Sequence, residues 1–362
     1  MMTKYFVADI YAHASEHMLV NSAFIDFFST KDTVFLLNDV HSKSLPTNAK
    51  KFSFVLKDSK IKRKLLRVFN REVIKTLTLF IFIPYILLTK RTLCILGGSN
   101  IQFFLLAFIP FLKIKQVVHG QAEALIKNKN DKTFAEKLFS YGFKHLNKKN
   151  VNLLFLSKHI NKKIDQCNFY FIDHPLPESV KSTANNLDNN TSRIKIAMVG
   201  LIRDDKKNCN AIYDMKVNPE HTELWVIGRA HRDFVIDQKS QVMFKLWDSI
   251  YSQEEFNKEI SEVDGFLYLF NDDQYLMTAS ATALDAIIHK KYVFTLSNPA
   301  IDSLLSDYPY VIRAENISDL VIKINEFSEN KKIEAIDNGY IDRFLLTNPL
   351  NSDVNVVNKW LS

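Results

Sequence analysis

Residues 194–207 read Ile194-Lys195-Ile196-Ala197-Met198-Val199-Gly200-Leu201-Ile202-Arg203-Asp204-Asp205-Lys206-Lys207, and this stretch decides the fold. The apolar run 194–199 predicts a buried strand that ends at Gly200. The loop after it presents Arg203 and then Lys206 or Lys207. An open α/β sheet binds its ligands beyond the carboxyl ends of its strands. Arg and Lys placed there suit a diphosphate, Arg through its planar fork and Lys as a point charge.

Working outward, further strands are predicted at 223–227, 265–270, 292–295 and 310–312. Ser252 with Glu255 makes a capping box for a helix at 253–262, and Ser318 caps another at 319–328. Upstream, residues 181–192 are polar, lack apolar periodicity and read as a linker. Before them, strands at 5–10, 33–37, 51–56, 92–96, 116–119 and 152–156 alternate with helical patterns at 15–29, 60–80, 101–113, 132–147 and 158–165. Alternation of this kind builds parallel sheets from βαβ units. The expectation is an α/β chain of two Rossmann-like domains, 1–180 and 193–345, facing each other across a cleft. A tail helix at 346–362 is expected to pack back on the N-terminal domain.

Composition narrows the function. The 362 residues include 8 Gly, about 2% against an average near 7%. A glycine-rich dinucleotide or P-loop site is therefore disfavoured. Three cysteines, Cys94, Cys167 and Cys209, have neither disulfide-scaffold nor zinc spacing and suit a reducing compartment. The net charge of +7 divides unevenly, +14 over residues 1–180 and −7 over 181–362. A uniformly basic nucleic-acid binder does not look like this. The basic half instead suggests an anionic partner surface. Its densest part, Lys60-Ile61-Lys62-Arg63-Lys64 with Arg67, Arg71 and Lys75, precedes the apolar run 77–88. That run and 103–112 are too short to span a bilayer, and Pro84 and Pro110 interrupt them. They are expected to be buried or interfacial. No secretory signal pattern opens the sequence.

Several segments carry candidate chemistry. Thr278, Ser280 and Thr282 are small hydroxyl residues at the start of a predicted helix, suited to a phosphate. Asp285, about one turn further on, suits ribose hydroxyls. The loop after the first strand holds His13, Glu16 and His17. In order, the chain shows Gly200-x-x-Arg203-x-x-Lys206, a strand ending Ile227-Gly228, a helix with Glu254-Glu255-Phe256, an Asp264-Gly265 strand, the small-residue loop 278–282 and a helix before Tyr292-Val293-Phe294. This ordered set resembles the donor domain of GT-B glycosyltransferases, nearest to glycosyltransferase family 4. The resemblance covers 194–330, with His119-Gly120 and Phe155-Leu156-Ser157 in the front half.

The resemblance implies roles. Arg203 and Lys206 would bind the donor diphosphate, and Gly228 would leave room for the nucleotide. Tyr251 and Ser252 would meet the base, Asp285 the ribose, and His119 the transferred sugar. Met277 stands where the family has the first of two glutamates spaced eight apart. If the enzyme inverts configuration, Glu16 or His13 is placed to deprotonate the acceptor hydroxyl. If it retains configuration, His119 and main-chain contacts carry more of the reaction. GT-B enzymes generally meet the leaving diphosphate with basic side chains, so no metal and no cofactor is expected beyond a UDP- or GDP-linked sugar as co-substrate. The expected activity is sugar transfer to a saccharide or lipid-linked acceptor in bacterial surface polysaccharide (lipopolysaccharide or capsule) assembly. The expected place is cytoplasmic, peripheral on the inner face of the cytoplasmic membrane, through the basic N-terminal half. A catalytically inactive GT-B-shaped binding partner, a GT-B sugar epimerase and a polyol-phosphate transferase are the alternatives.

Overall fold

The computed structural model describes residues 3–11, 17–54, 64–146, 150–162, 168–177, 180, 193–248, 253–280, 282–330 and 336–362. Its first sheet has seven strands: β1 (Tyr5–Asp9), β2 (Thr33–Asn38), β3 (Lys50–Phe54), β4 (Thr92–Ile95), β5 (Ile114–Val118), β6 (Val151–Phe155) and β7 (Phe169–Phe171). Its second has six: β8 (Ile194–Ile202), β9 (Thr222–Ala230), β10 (Met243–Leu246), β11 (Gly265–Tyr268), β12 (Tyr292–Leu296) and β13 (Val311–Ala314). All neighbours pair in parallel, in the orders β3-β2-β1-β4-β5-β6-β7 and β10-β9-β8-β11-β12-β13. Both orders are doubly wound, and each reverses direction beside its first strand, at β1/β4 and at β8/β11. The two Rossmann-like sheets read from the sequence are present.

The chain divides into two compact units. One comprises Met1–Ser179, Met277–Ala279 and Thr347–Ser362; the other comprises Val180–Leu276 and Ser280–Leu346. In the first, every residue of β1, β2, β4, β5 and β6 is buried, as expected of parallel strands covered on both faces. One sheet face packs Val7, Phe35, Cys94, Val117 and Leu154 against Phe24 and Phe28 of the helix Met18–Ser29. Trp360, from the helix Val354–Leu361, completes this core edge-on to both phenylalanines, at 6.1 and 6.4 Å. Asn152 Nδ2 donates to the Trp360 carbonyl at 2.7 Å.

Several elements differ from expectation. The strand from Ile194 continues past Gly200 to Ile202, because Gly200 at φ 90° pairs with Gly228 and keeps the ladder in register. The helix expected at 319–328 spans Ile317–Glu329 and is capped by Asn316, whose side chain accepts from the Asp319 amide, not by Ser318. Ser252 lies outside the described residues. The helix Lys64–Leu88 runs through Pro84, which removes one backbone donor without ending it. The helix Asn100–Ala107 stops before Pro110, opened by a Ser99–Gln102 capping box. Among the described residues, no helix is long and apolar enough to cross a membrane.

Candidate active site

In the second unit, the carboxyl ends of β8 and β11 bring functional groups together. β8 delivers Arg203, which precedes a single helical turn, Asp204–Lys207, closed by Asn208 in the left-handed region at φ 51°. The turn aims Lys207 inward, where it is buried. Burial draws its ammonium below the ordinary lysine range, opposed by Cys209 and Asp285. Asp285 sits in the helix Thr282–Ile288. Burial pushes its carboxyl up to about 7, with Lys207 holding it from going further. The two groups are not within ion-pair distance, so each acts on the other only through space. The Tyr268 hydroxyl donates to the Thr282 carbonyl at 2.6 Å and fixes the start of that helix. Ser280 is buried, and its hydroxyl lies 3.1 Å from that of Thr282.

Arg203 is engaged. Its Nε and Nη2 donate to the two carboxylate oxygens of Asp205 at 2.9 and 2.7 Å. The Asp205 amide donates to Asp233 Oδ2 at 3.0 Å, and Asp233 Oδ1 meets His231 Nδ1 at 2.5 Å. Burial raises the Asp233 carboxyl, but hydrogen bonds from Asp205 and His231 hold it below the usual carboxylate range. Ligand-type atoms of Asp205, His231 and Asp233 lie within 4.8 Å of one another. They are satisfied by each other and by Arg203, so the group is a charge network.

Gly228 has a structural reason to be glycine. A Cβ there would lie 1.9 Å from the Gly200 carbonyl oxygen, so the β8–β9 contact itself excludes a side chain.

In the first unit, β5 ends at His119. Its Nε2 lies 2.7 Å from the Leu96 carbonyl, an acceptor, so Nε2 carries the proton and Nδ1 keeps its lone pair. The backbone amide of His119 donates to Gln121 Oε1 at 2.9 Å, and Gln121 Nε2 donates to the Gly98 carbonyl. The His17 ring lies 4.4 Å away. Burial first, then His17 and His174, draw the His119 imidazole well below the ordinary histidine range, against the Leu96 bond. The ring is neutral near pH 7. It can accept a hydrogen bond at Nδ1 and cannot serve as a standing cation. Thr278 lies here too, 3.8 Å from where a Gly120 Cβ would stand. It belongs to the first unit, while Ser280 and Thr282 belong to the second. Met277, in the position of the family's first glutamate, is fully buried, and its amide donates to Glu123 Oε1 at 2.8 Å.

His13, Glu16, Tyr251 and Ser252 lie outside the described residues, as does the side chain of Lys206. The sequence did not single out Lys207 over its neighbour. The adjacent asparagine, able to close a turn in the left-handed region, was the signal available. Nor did it flag the buried pair of Asp9, the last residue of β1, with His41 Nδ1.

Solved structures share this architecture. The lipopolysaccharide outer core galactosyltransferase WaaB is 14% identical, with a TM-score of 0.58 over 98% of this chain and 99% of its own. TarM is 11% identical with a TM-score of 0.63, over 99% of both chains. Anabaena Alr3699/HepE, solved with UDP and glucose, is 9% identical with a TM-score of 0.57, over 100% of this chain and 98% of its own. The fold is GT-B. At these identities the likeness is one of fold, and membership of glycosyltransferase family 4 does not follow from it. No protein-family model matches the sequence, and no curated protein matches it. In an open parallel sheet ligand loops follow the carboxyl ends of strands beside the reversal, and in the second unit Arg203, Lys207, Ser280, Thr282 and Asp285 follow β8 and β11.

Proposed function

We propose that this protein transfers a sugar from a nucleoside-diphosphate donor to a saccharide or lipid-linked acceptor in bacterial surface polysaccharide assembly, on the inner face of the cytoplasmic membrane. The observation that carries the reading is a buried lysine, Lys207, set beside Arg203 at the carboxyl end of β8, with the Asp285 carboxylate acting on it through space. A cation withheld from water and facing a carboxylate of raised pKa is a group held ready for an anionic ligand. In this reading Arg203 and Lys207, with Lys206, meet the diphosphate, and Thr278, Ser280 and Thr282 donate hydroxyls. Gly228 borders the nucleotide, Tyr251 and Ser252 meet its base, and Asp285 accepts from the ribose.

The transfer breaks the bond between the anomeric carbon and the diphosphate oxygen, and the electron pair leaves with the diphosphate. The basic groups stabilise that charge without a metal. The acceptor hydroxyl forms the new bond and loses its proton. Glu16 or His13 takes it if configuration inverts; if it is retained, the departing diphosphate oxygen takes it, while neutral His119 accepts a hydrogen bond from a hydroxyl of the transferred sugar. The GT-B likeness to proteins solved with UDP, and to a galactosyltransferase, supports the choice of donor class.

Calorimetry with UDP and GDP tests the reading, with Lys206→Met beside Lys207→Met as a comparison. One nucleotide is expected to bind, and Lys207→Met to weaken it by about 1.5–3 kcal/mol, the range for a charge-assisted hydrogen bond. Heat from neither nucleotide, or unchanged affinity in Lys207→Met, overturns it.

A further inference from the structure

Along the second half of the helix Lys64–Leu88, Ile74, Leu77, Ile81, Tyr85 and Leu88 are all exposed, Ile81 at 74% and Leu88 at 84%. Their spacing of three and four residues sets them on one face. An ordinary surface helix buries its apolar stripe and turns charge outward. Here no charged residue occurs between Lys75 and Lys90, and the inner side is already satisfied by Phe82, which packs on Phe6 of β1 at 5.3 Å.

A second exposed group lies on the same side of the sheet. Strand register carries the Phe6 face through Leu93 and Ile114 to Val151 and, four residues on along the same strand and face, Phe155. Phe155 contacts Phe169, which stacks on Phe143 of the helix Phe134–His145. Over that helix Phe108 and Tyr141 lie 6.2 Å apart, both exposed, and Phe111 is 85% exposed. Leu88 and Phe111 precede the paired residues Leu93 and Ile114, so both stand at the amino ends of neighbouring strands. Lys90 and Lys113, beside them, are exposed.

We propose that this outer helical face docks on an anionic lipid surface, lying in the headgroup region without crossing the bilayer. It deepens the functional reading and rests on it for the lipid-linked acceptor that gives the contact its use. Charge selects the occupant. A second copy applied through the same face would oppose Arg71, Lys90 and Lys113 with their own kind. An anionic leaflet offers each of them a counter-charge, and the helix carries only one acid, Glu72.

The test is flotation of the full chain with phosphatidylcholine vesicles with and without phosphatidylglycerol. The variants are Ile81→Glu with Leu88→Glu and, in a separate loop, Phe111→Glu. UDP calorimetry is run on the same samples. Binding is expected only with phosphatidylglycerol, weakened by salt and at least about tenfold weaker in the double variant. UDP heats should match wild type in every variant. Absence of flotation, a double variant that floats like wild type, or a wild-type dimer that the double variant converts to monomer on sedimentation overturns the proposal. Flotation without any UDP heat leaves the lipid contact standing and removes the nucleotide-sugar reading.

Discussion

Burial raises the Asp285 carboxyl and Lys207 opposes that rise, and the consequence is a pH dependence with a definite sign. The Asp285 carboxyl titrates near about 7 in the folded chain, against an ordinary value near 4 when unfolded. The folded state therefore binds this proton more tightly. Its contribution to stability is full below about pH 4 and is lost as pH rises through about 7. Wild type should thus lose melting temperature relative to Asp285→Asn between about pH 5 and pH 8, as followed by circular dichroism. In the proposed reading donor binding should move the opposite way and strengthen over the same range, because the ionised form would be the one to meet the ribose. A wild-type and variant pair with parallel melting profiles would remove the burial argument. His119 offers a contrast: held neutral by burial, it should contribute no titration near pH 7.

At the scale of elements, the sequence was most legible where burial is two-faced. Strands such as Tyr292–Leu296 declare themselves because every residue is apolar or small enough to bury, and Tyr5–Asp9 does so up to its last residue, the buried and paired Asp9. Phe169–Phe171 and Met243–Leu246 did not, being short strands at the sheet edges whose residues are mostly only half-buried or exposed. Ser318 looked like a cap by residue type, but Asn316 took the position, since an N-cap is fixed by where the chain leaves extended geometry. The site was legible as a loop and illegible as a choice: Lys206 and Lys207 are the same residue type, and only the folded turn shows that Lys207 is buried. The helix Val354–Leu361 shows what distant packing adds. Trp360 is fully buried among Phe24 and Phe28, so Trp360→Ala should cost about 3–5 kcal/mol in urea unfolding. A loss under about 1 kcal/mol would mean that the first unit's core closes without its last helix.

Across the whole molecule, the two sheets repeat one strand order while their sequences carry opposite charge, +14 in residues 1–180 and −7 in 181–362. Topology is thus set by apolar patterning alone, and the surface is left free to differ. An acidic surround also bears on the contact between Arg203 and Asp205, in which one guanidinium holds both oxygens of a carboxylate two residues away. In the proposed reading an incoming diphosphate would not find a bare cation there; it would evict an internal tenant. Recognition then becomes an exchange of one anion for another, with little net uptake or release of salt ions. Affinity for UDP should vary only weakly with ionic strength in wild type. In Asp205→Asn it should be about three- to tenfold tighter at low salt and fall steeply as salt is added. Equal salt slopes in the two proteins would show that the arginine never changes partners, and that the carboxylate is its permanent seat.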